Sequence, residues 1–344
     1  MILLTPGPCM TSESVRQAAA VPDMSHRDPA YLELVGEVKH RLLQVYPGLA
    51  NGWEALLIGG SGTAAVEAML TSCVGDGPVL VIENGYYSGR FSEILGAHSI
   101  PHKVLRFGWL EPWDMEAIER ELEGVEAVVG THNETTTGRL NPVGRLAKIC
   151  AKRGIRCLID AVSSFGADTL DFSHIDAVAT SANKCLHGLP GLSIVLVRSV
   201  FLEKMKVFPK RSFYLHLPIY AGDYPPLTPP IPSVSALRQA LRETSGAEVR
   251  GRVYAKRAAE IRSALLTRGL TFAVPDLEAS CTLTTASLPG AYSSESWLAA
   301  NRENGFVLYP CKGELRDRFF QVANMGELTD QQIQAWIESL DALI

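Results

Sequence analysis

Lys184 closes the tetrapeptide Ser181-Ala182-Asn183-Lys184, and Asp160 lies 24 residues earlier at the end of the apolar run Cys157-Leu158-Ile159. An aspartate leaving one buried strand and a lysine just past a second are the two groups that pyridoxal 5'-phosphate (PLP) chemistry asks of a protein. The amine holds the aldehyde as a Schiff base and then moves protons. The carboxylate keeps the pyridine nitrogen protonated, so that the ring accepts electrons. Surface lysines and strand-end aspartates are common, so the pair alone says little. It gains weight from Gly59-Gly60-Ser61-Gly62-Thr63 upstream, which follows an expected strand and opens an expected helix. Unpaired N–H groups and the helix dipole suit an anion there, and a phosphate is a natural ligand. The segment also reads as a plain glycine turn with Ser61 as N-cap. It is neither a Walker A loop nor a G-x-G-x-x-G fingerprint.

Two further segments sit where open α/β sheets bind ligands, at the carboxyl ends of strands. Asn84-Gly85-Tyr86-Tyr87-Ser88-Gly89-Arg90 offers an aromatic ring that could lie flat on a cofactor ring, or a tyrosine pair that packs a loop. His132-Asn133-Glu134-Thr135-Thr136-Thr137-Gly138 groups small and acidic polar residues that fit a site better than a core. Its other reading is a capping turn before Asn141-Pro142.

The elements that must position these residues alternate along the chain. Apolar runs at Ala55-Ile58, Val79-Ile82, Ala127-Gly130, Cys157-Asp160, Ala177-Thr180 and Ser193-Val197 read as strands of a largely parallel sheet. Amphipathic helices lie between them. The first carries Ala65, Val66, Met69, Leu70 and Cys73 at helical spacing behind Ser61-Gly62. The proline-rich stretch 217–232 reads as an ordered, extended connection. A helical region then runs from Ser233 toward Gly269, with a break expected at Ser245-Gly246. Short strands follow, then a final helix opened by the capping-box pattern Thr329-Asp330-Gln331-Gln332. The reading is a large domain at 1–235, with its N-terminal segment, and a small C-terminal α/β domain at 236–344.

Composition narrows the classes. The chain has 344 residues, 47% of them hydrophobic, which is enough for two domains. A net charge of -5 without a basic run argues against nucleic acid or an anionic membrane as partner. No apolar run reaches spanning length, so a cytoplasmic protein is expected. The seven cysteines form no CxxC pair, which speaks against a disulfide framework or a metal site.

Taken in order, Thr5-Pro6-Gly7-Pro8, Gly60-Ser61-Gly62-Thr63, Asn84-Gly85, Glu134-Thr135-Thr136-Thr137-Gly138, Asp160-Ala161-Val162-Ser163-Ser164-Phe165 and Ser181-Ala182-Asn183-Lys184 resemble the class V aminotransferases. With Gly305-Phe306-Val307-Leu308-Tyr309-Pro310, the chain is most similar to the 2-aminoethylphosphonate–pyruvate transaminase branch. The resemblance implies fold type I, with a mainly parallel seven-stranded sheet in the large domain. It implies transamination of a small amino compound with a 2-oxo acid, and a homodimer with shared sites. Lys184 is then the catalytic lysine and Asp160 the partner of the ring nitrogen. Tyr87 stacks on the ring and Thr135 bonds the phenolic oxygen. Ser61, Gly62, Thr63 and Asn183 hold the phosphate, with Thr228 reaching it from the neighbouring subunit. Gly7 and Arg27 fall on the substrate side.

One position departs from that pattern. The family's anion-gripping arginine falls on Gln321, in Phe319-Phe320-Gln321-Val322-Ala323-Asn324. A neutral amide lacks the guanidinium's charged, two-pronged grip, a loss of about 1.5–3 kcal/mol for a bond to an ion. Arg318, three residues away, would point to the opposite face of a regular strand, though a bulge would change that. Arg316, Lys312, Arg27 and His26 are the other nearby cations that could compensate. The missing arginine also leaves a second chemistry open, that of a PLP-dependent lyase acting by elimination, decarboxylation or aldol-type cleavage.

Overall fold

The computed structural model describes every residue except Asp223. Seven strands form the central sheet in the order Trp53–Gly59, Leu192–Arg198, Ala177–Ser181, Arg156–Asp160, Ala127–Thr131, Val79–Glu83 and His102–Arg106. Leu192–Arg198 runs antiparallel to both neighbours, and the remaining pairs are parallel. All six strands expected from apolar runs are present, each extended by a residue or more. His102–Arg106 carries no such run. It is an edge strand in which only Val104 and Leu105 are apolar and none of the five residues is fully buried, so its sequence has little apolar signal to offer.

Both faces of the sheet are covered, which is why the central strands read as continuous apolar runs. Alternate residues of one strand serve different cores. Leu80 and Ile82 pack with Tyr31, Leu34 and Leu146 on one face. Val79 and Val81 pack with Met69, Leu70 and Phe91 on the other. The Gly62–Ser72 helix buries Ala65, Val66, Met69 and Leu70, as its spacing requires.

The connection at 217–232 is less extended than expected. Leu217–Ala221 forms a 3-10 helix with Pro218 in its first turn, where the ring's fixed φ is compatible with helical backbone. The Ile231–Glu243 helix likewise opens with Pro232 in its first turn. It ends before Gly246, which has a φ of 90°, and a second helix runs over Ala247–Leu266.

Beyond it, Leu283–Ser287, Phe319–Ala323 and Tyr309–Pro310 form a small antiparallel sheet. It packs with the Ser294–Glu303 and Asp330–Ser339 helices around Trp297, Phe320 and Trp336. The capping box at Thr329 and Gln332 forms as its residues predict. The first residues of the chain pack with this C-terminal unit. Ile2 and Leu3 pair with Phe306 and Val307, and Leu4 lies in its core. Short apolar segments of this kind take whichever sheet edge is open, and sequence order does not reveal which.

Candidate active site

Three parallel strands end together. Thr131 is in register with Asp160, and Asp160 with Ala179, two residues before Ser181. Their carboxyl ends open on a cavity of about 210 Å³. Its walls include Ser61, Gly62, Thr63, Tyr87, Thr135, Asp160, Asn183 and Lys184. Segments spread over more than 120 residues of sequence thus converge, because each follows a strand of one sheet.

Asp160 is buried, and its Oδ1 accepts a hydrogen bond from the Val162 N–H at 2.8 Å. Burial raises its carboxyl from 3.8 to about 6; Glu134 adds to the rise, while the Val162 N–H, Lys184 and Arg90 oppose it. Lys184 is shifted the other way. Burial lowers its pKa chiefly, Arg90 adds to the fall, and Cys9, Cys185 and Asp160 oppose it. Its Nζ donates to the Pro6 carbonyl of the N-terminal segment. Gly7, next along, has a φ of 126°, and a Cβ there would sit 2.5 Å from Lys184 Nζ. Only glycine lets this segment lie against the lysine.

The Tyr86–Ala97 helix places Tyr87 over the cavity, and Glu134 holds the start of that helix. The Glu134 carboxylate is fully buried and accepts from Ser88 N–H and Ser88 Oγ, each at 2.9 Å, and from Tyr87 N–H at 3.4 Å. It also accepts from Thr136 N–H at 3.0 Å and Thr136 Oγ1 at 2.6 Å. A carboxylate at a helix N-terminus is favourable. The polar run at 132–138 therefore divides its work, with Thr135 facing the cavity and Glu134 serving the scaffold. Thr135 Oγ1 donates to Ser163 Oγ at 2.7 Å.

Other expected residues lie elsewhere. Arg27 and Arg318 are exposed and are not among the residues lining this cavity, and the Arg318 guanidinium rests on the Phe319 ring at 5.3 Å. Gln321 is buried, and its Nε2 donates to the Thr135 and Thr136 carbonyls, the latter at 3.2 Å. Both of its amide hydrogens are thus engaged with backbone. Thr228 is exposed and lines a separate cleft with Tyr31, Tyr214 and Tyr220. Arg90, Thr131 and Ser181 also line the cavity, beyond the residues expected there. Arg90 could have been found from its i+3 spacing to Tyr87 on one helix.

The walls fit PLP. Thr131 Oγ1, Asn133 Oδ1 and Ser181 Oγ are buried without hydrogen-bond partners and belong to residues lining the cavity. Buried polar atoms are otherwise nearly always paired, so these ask for a polar ligand. Ser61 makes no capping bond to the helix it precedes, which leaves that end open to an anion. Among the described residues, no group of acidic, His and Cys side chains could hold a metal ion, and no helix is long and apolar enough to cross a membrane.

The model of the aminotransferase class-V family matches residues 103–257. A 2-aminoethylphosphonate–pyruvate transaminase of Klebsiella pneumoniae subsp. pneumoniae is 33% identical over 99% of this chain and 96% of its own length. One of Salmonella paratyphi B is 30% identical, covering 98% of this chain and 96% of its own. Among solved structures, an alanine–glyoxylate aminotransferase from Nostoc sp. superposes with a TM-score of 0.93 at 26% identity, over 99% of this chain and 94% of that one.

Proposed function

The chain belongs to the class V aminotransferases and is a PLP-dependent transaminase, and from that premise we propose that it moves an amino group from a small amino compound of the 2-aminoethylphosphonate kind, or a small amino acid, to a 2-oxo acid. The observation that carries the reading is the convergence of Lys184, Asp160 and the open Gly62 helix start on one cavity. The names of the relatives supply the substrate class and favour transfer over lyase chemistry.

When bound, PLP supplies a ring that withdraws electrons from the amine-bearing carbon. The chain's own residues then divide as follows. Lys184 Nζ would take the proton from that carbon and deliver it on the cofactor side, not back to the same carbon, and burial keeps the amine more readily deprotonated than an exposed lysine. Asp160 holds a proton at the ring nitrogen. Tyr87 covers one face and excludes water. Ser61, Gly62, Thr63 and Asn183 bind the phosphate, and Thr135 orients the ring's oxygen. Gly7 brings the N-terminal segment beside the amine. Residues 1–235 carry these groups, and 236–344 meet them through Gln321, which donates to the Thr135 and Thr136 carbonyls, with residues 2–4 crossing to the second unit. Arg27 and Arg318 would meet substrate only if their segments moved toward the cavity. A cytoplasmic homodimer is part of the proposal, supported by seven free cysteines and by the exposed Thr228 connection.

Gln321 shapes the substrate preference. Its amide is uncharged and its donors are taken by the Thr135 and Thr136 carbonyls, so it offers a carboxylate neither charge nor a free donor. Simple carboxylates such as alanine and pyruvate should bind weakly.

The test is a panel of amines scored by the bound cofactor's visible absorbance. The absorbance should fall with 2-aminoethylphosphonate, return with pyruvate at high concentration, and respond to alanine better in Gln321→Arg than in the wild type. A stoichiometric release of ammonia with no change in the cofactor would replace transfer with lyase chemistry. An unaltered alanine response in Gln321→Arg would remove the role given to Gln321.

A further inference from the structure

The cavity holds a cation to which the roles above give no task. Among the described residues, Arg90 and Lys184 are the only basic residues lining it. Among the described residues no carboxylate pairs with Arg90. Its guanidinium lies on the Tyr86 and Tyr87 rings, 5.0 and 4.8 Å from their centroids. Its hydrogen bond runs from Nη1 to Thr63 Oγ1 at 3.3 Å. Two aromatic rings fix the plane of the fork, and one donor points it at the first turn of the Gly62–Ser72 helix. Most of its five N–H donors are left free.

A second observation meets the first at the same place. Ser181 is only 1% exposed, and its Oγ lines the cavity without a partner. That oxygen lies 3.5 Å from where a Cβ on Gly62 would sit. The Ser61 side chain caps nothing. An unpaired cation, an unpartnered hydroxyl and an open helix start therefore surround one volume. Each has the polarity that a phosphoryl oxygen would satisfy.

We infer that Arg90 is the charged binding residue for the phosphoryl group seated at the start of the Gly62–Ser72 helix, the phosphate ester of PLP. This rests on the cofactor site proposed above and adds a cationic member to its phosphate-binding end. The stacking on Tyr87 couples two functions, because the ring that covers the cofactor also steadies the guanidinium. A phosphonate on the amino substrate presents the same oxygens. The bond to Thr63, at the helix start and away from Gln321, favours the cofactor's phosphate.

Cofactor-free wild type, Arg90→Gln and Arg90→Lys should be titrated with PLP and, separately, with pyridoxal, which lacks the phosphate. Tryptophan fluorescence reads Kd for each. Arg90→Gln should weaken PLP by about tenfold or more, Arg90→Lys by less, and pyridoxal should bind all three alike. Equal weakening of PLP and pyridoxal would mean that Arg90 only props Tyr87, and the inference falls. An unchanged PLP Kd with a raised KM for 2-aminoethylphosphonate would move the residue to the substrate and also overturn it. A wild type that binds neither compound would instead sink the cofactor site itself, an outcome distinct from both.

Discussion

Asp160 and Lys184 carry opposite shifts for one reason, since burial disfavours charge on an acid and a base alike. The Asp160 carboxyl in the folded, cofactor-free chain binds its proton more tightly than in the unfolded chain. Its contribution to stability is fully present below about pH 4 and is lost as pH rises through about 6. A rise from 3.8 to about 6 corresponds to at most about 3 kcal/mol. Asp160→Asn mimics the neutral form at every pH. In thermal denaturation of the cofactor-free protein from pH 4 to 8, the variant should match the wild type at the acid end. It should be the more stable of the two above pH 6. With PLP bound the comparison should invert in function, because an amide cannot hold the ring nitrogen protonated and proton removal by Lys184 slows. A variant less stable than wild type at pH 7 without cofactor would show that another group already neutralises Asp160.

At the scale of elements, the decisive contact joins the short hairpin of Asn133–Glu134 and Arg139–Leu140 to a helix. Glu134 satisfies N–H groups in the first turn of Tyr86–Ala97, together with the Ser88 and Thr136 hydroxyls. Deleting that carboxylate leaves several donors buried and unmet, at roughly 1–3 kcal/mol for each group. Glu134→Ala should lower unfolding free energy by roughly 3 kcal/mol or more, and Glu134→Gln by clearly less, as read by urea denaturation. PLP affinity should fall with it, since Tyr87 and Arg90 ride on that helix. A Glu134→Ala protein as stable as the wild type would mean that solvent enters and replaces the carboxylate. Gly85 belongs to the same joint, because a Cβ there would run into the Glu134 side chain.

For the whole molecule, the question is whether one chain suffices. Thr228 is exposed and lines a cleft apart from the cavity that holds Lys184. Its proposed task at a phosphate therefore requires a second copy of the chain. A symmetric pair would let each copy complete the other's site. Sedimentation across a dilution series should show a dimer, with PLP affinity falling as it dissociates. Thr228→Ala should weaken PLP while leaving the dimer intact. A fully loaded monomer at the lowest concentration would remove Thr228 from the site and the dimer from the proposal.

The chain's own residues were enough to specify six of the seven strands, the Gly62 helix, the break at Gly246 and the final capping box. Each depends on local periodicity or turn chemistry. Lys184 and Asp160 were legible because they stand where expected strands end. The edge strand His102–Arg106 was not, since half-exposed residues need no apolar pattern. Three matters were decided only by tertiary packing. Glu134 could have faced either the cavity or a helix, and only the position of Tyr86–Ala97 chose between them. Gln321 might have been a weak substrate contact, but the approach of the Thr135 and Thr136 carbonyls from a segment 185 residues away occupied its donors. The spacing of Arg90 to Tyr87 is visible in the sequence, but its bond to Thr63 and the unpartnered Ser181 hydroxyl beside the same helix start come only from packing. Sequence fixes what a residue can donate or accept, and packing fixes which groups are left without a partner.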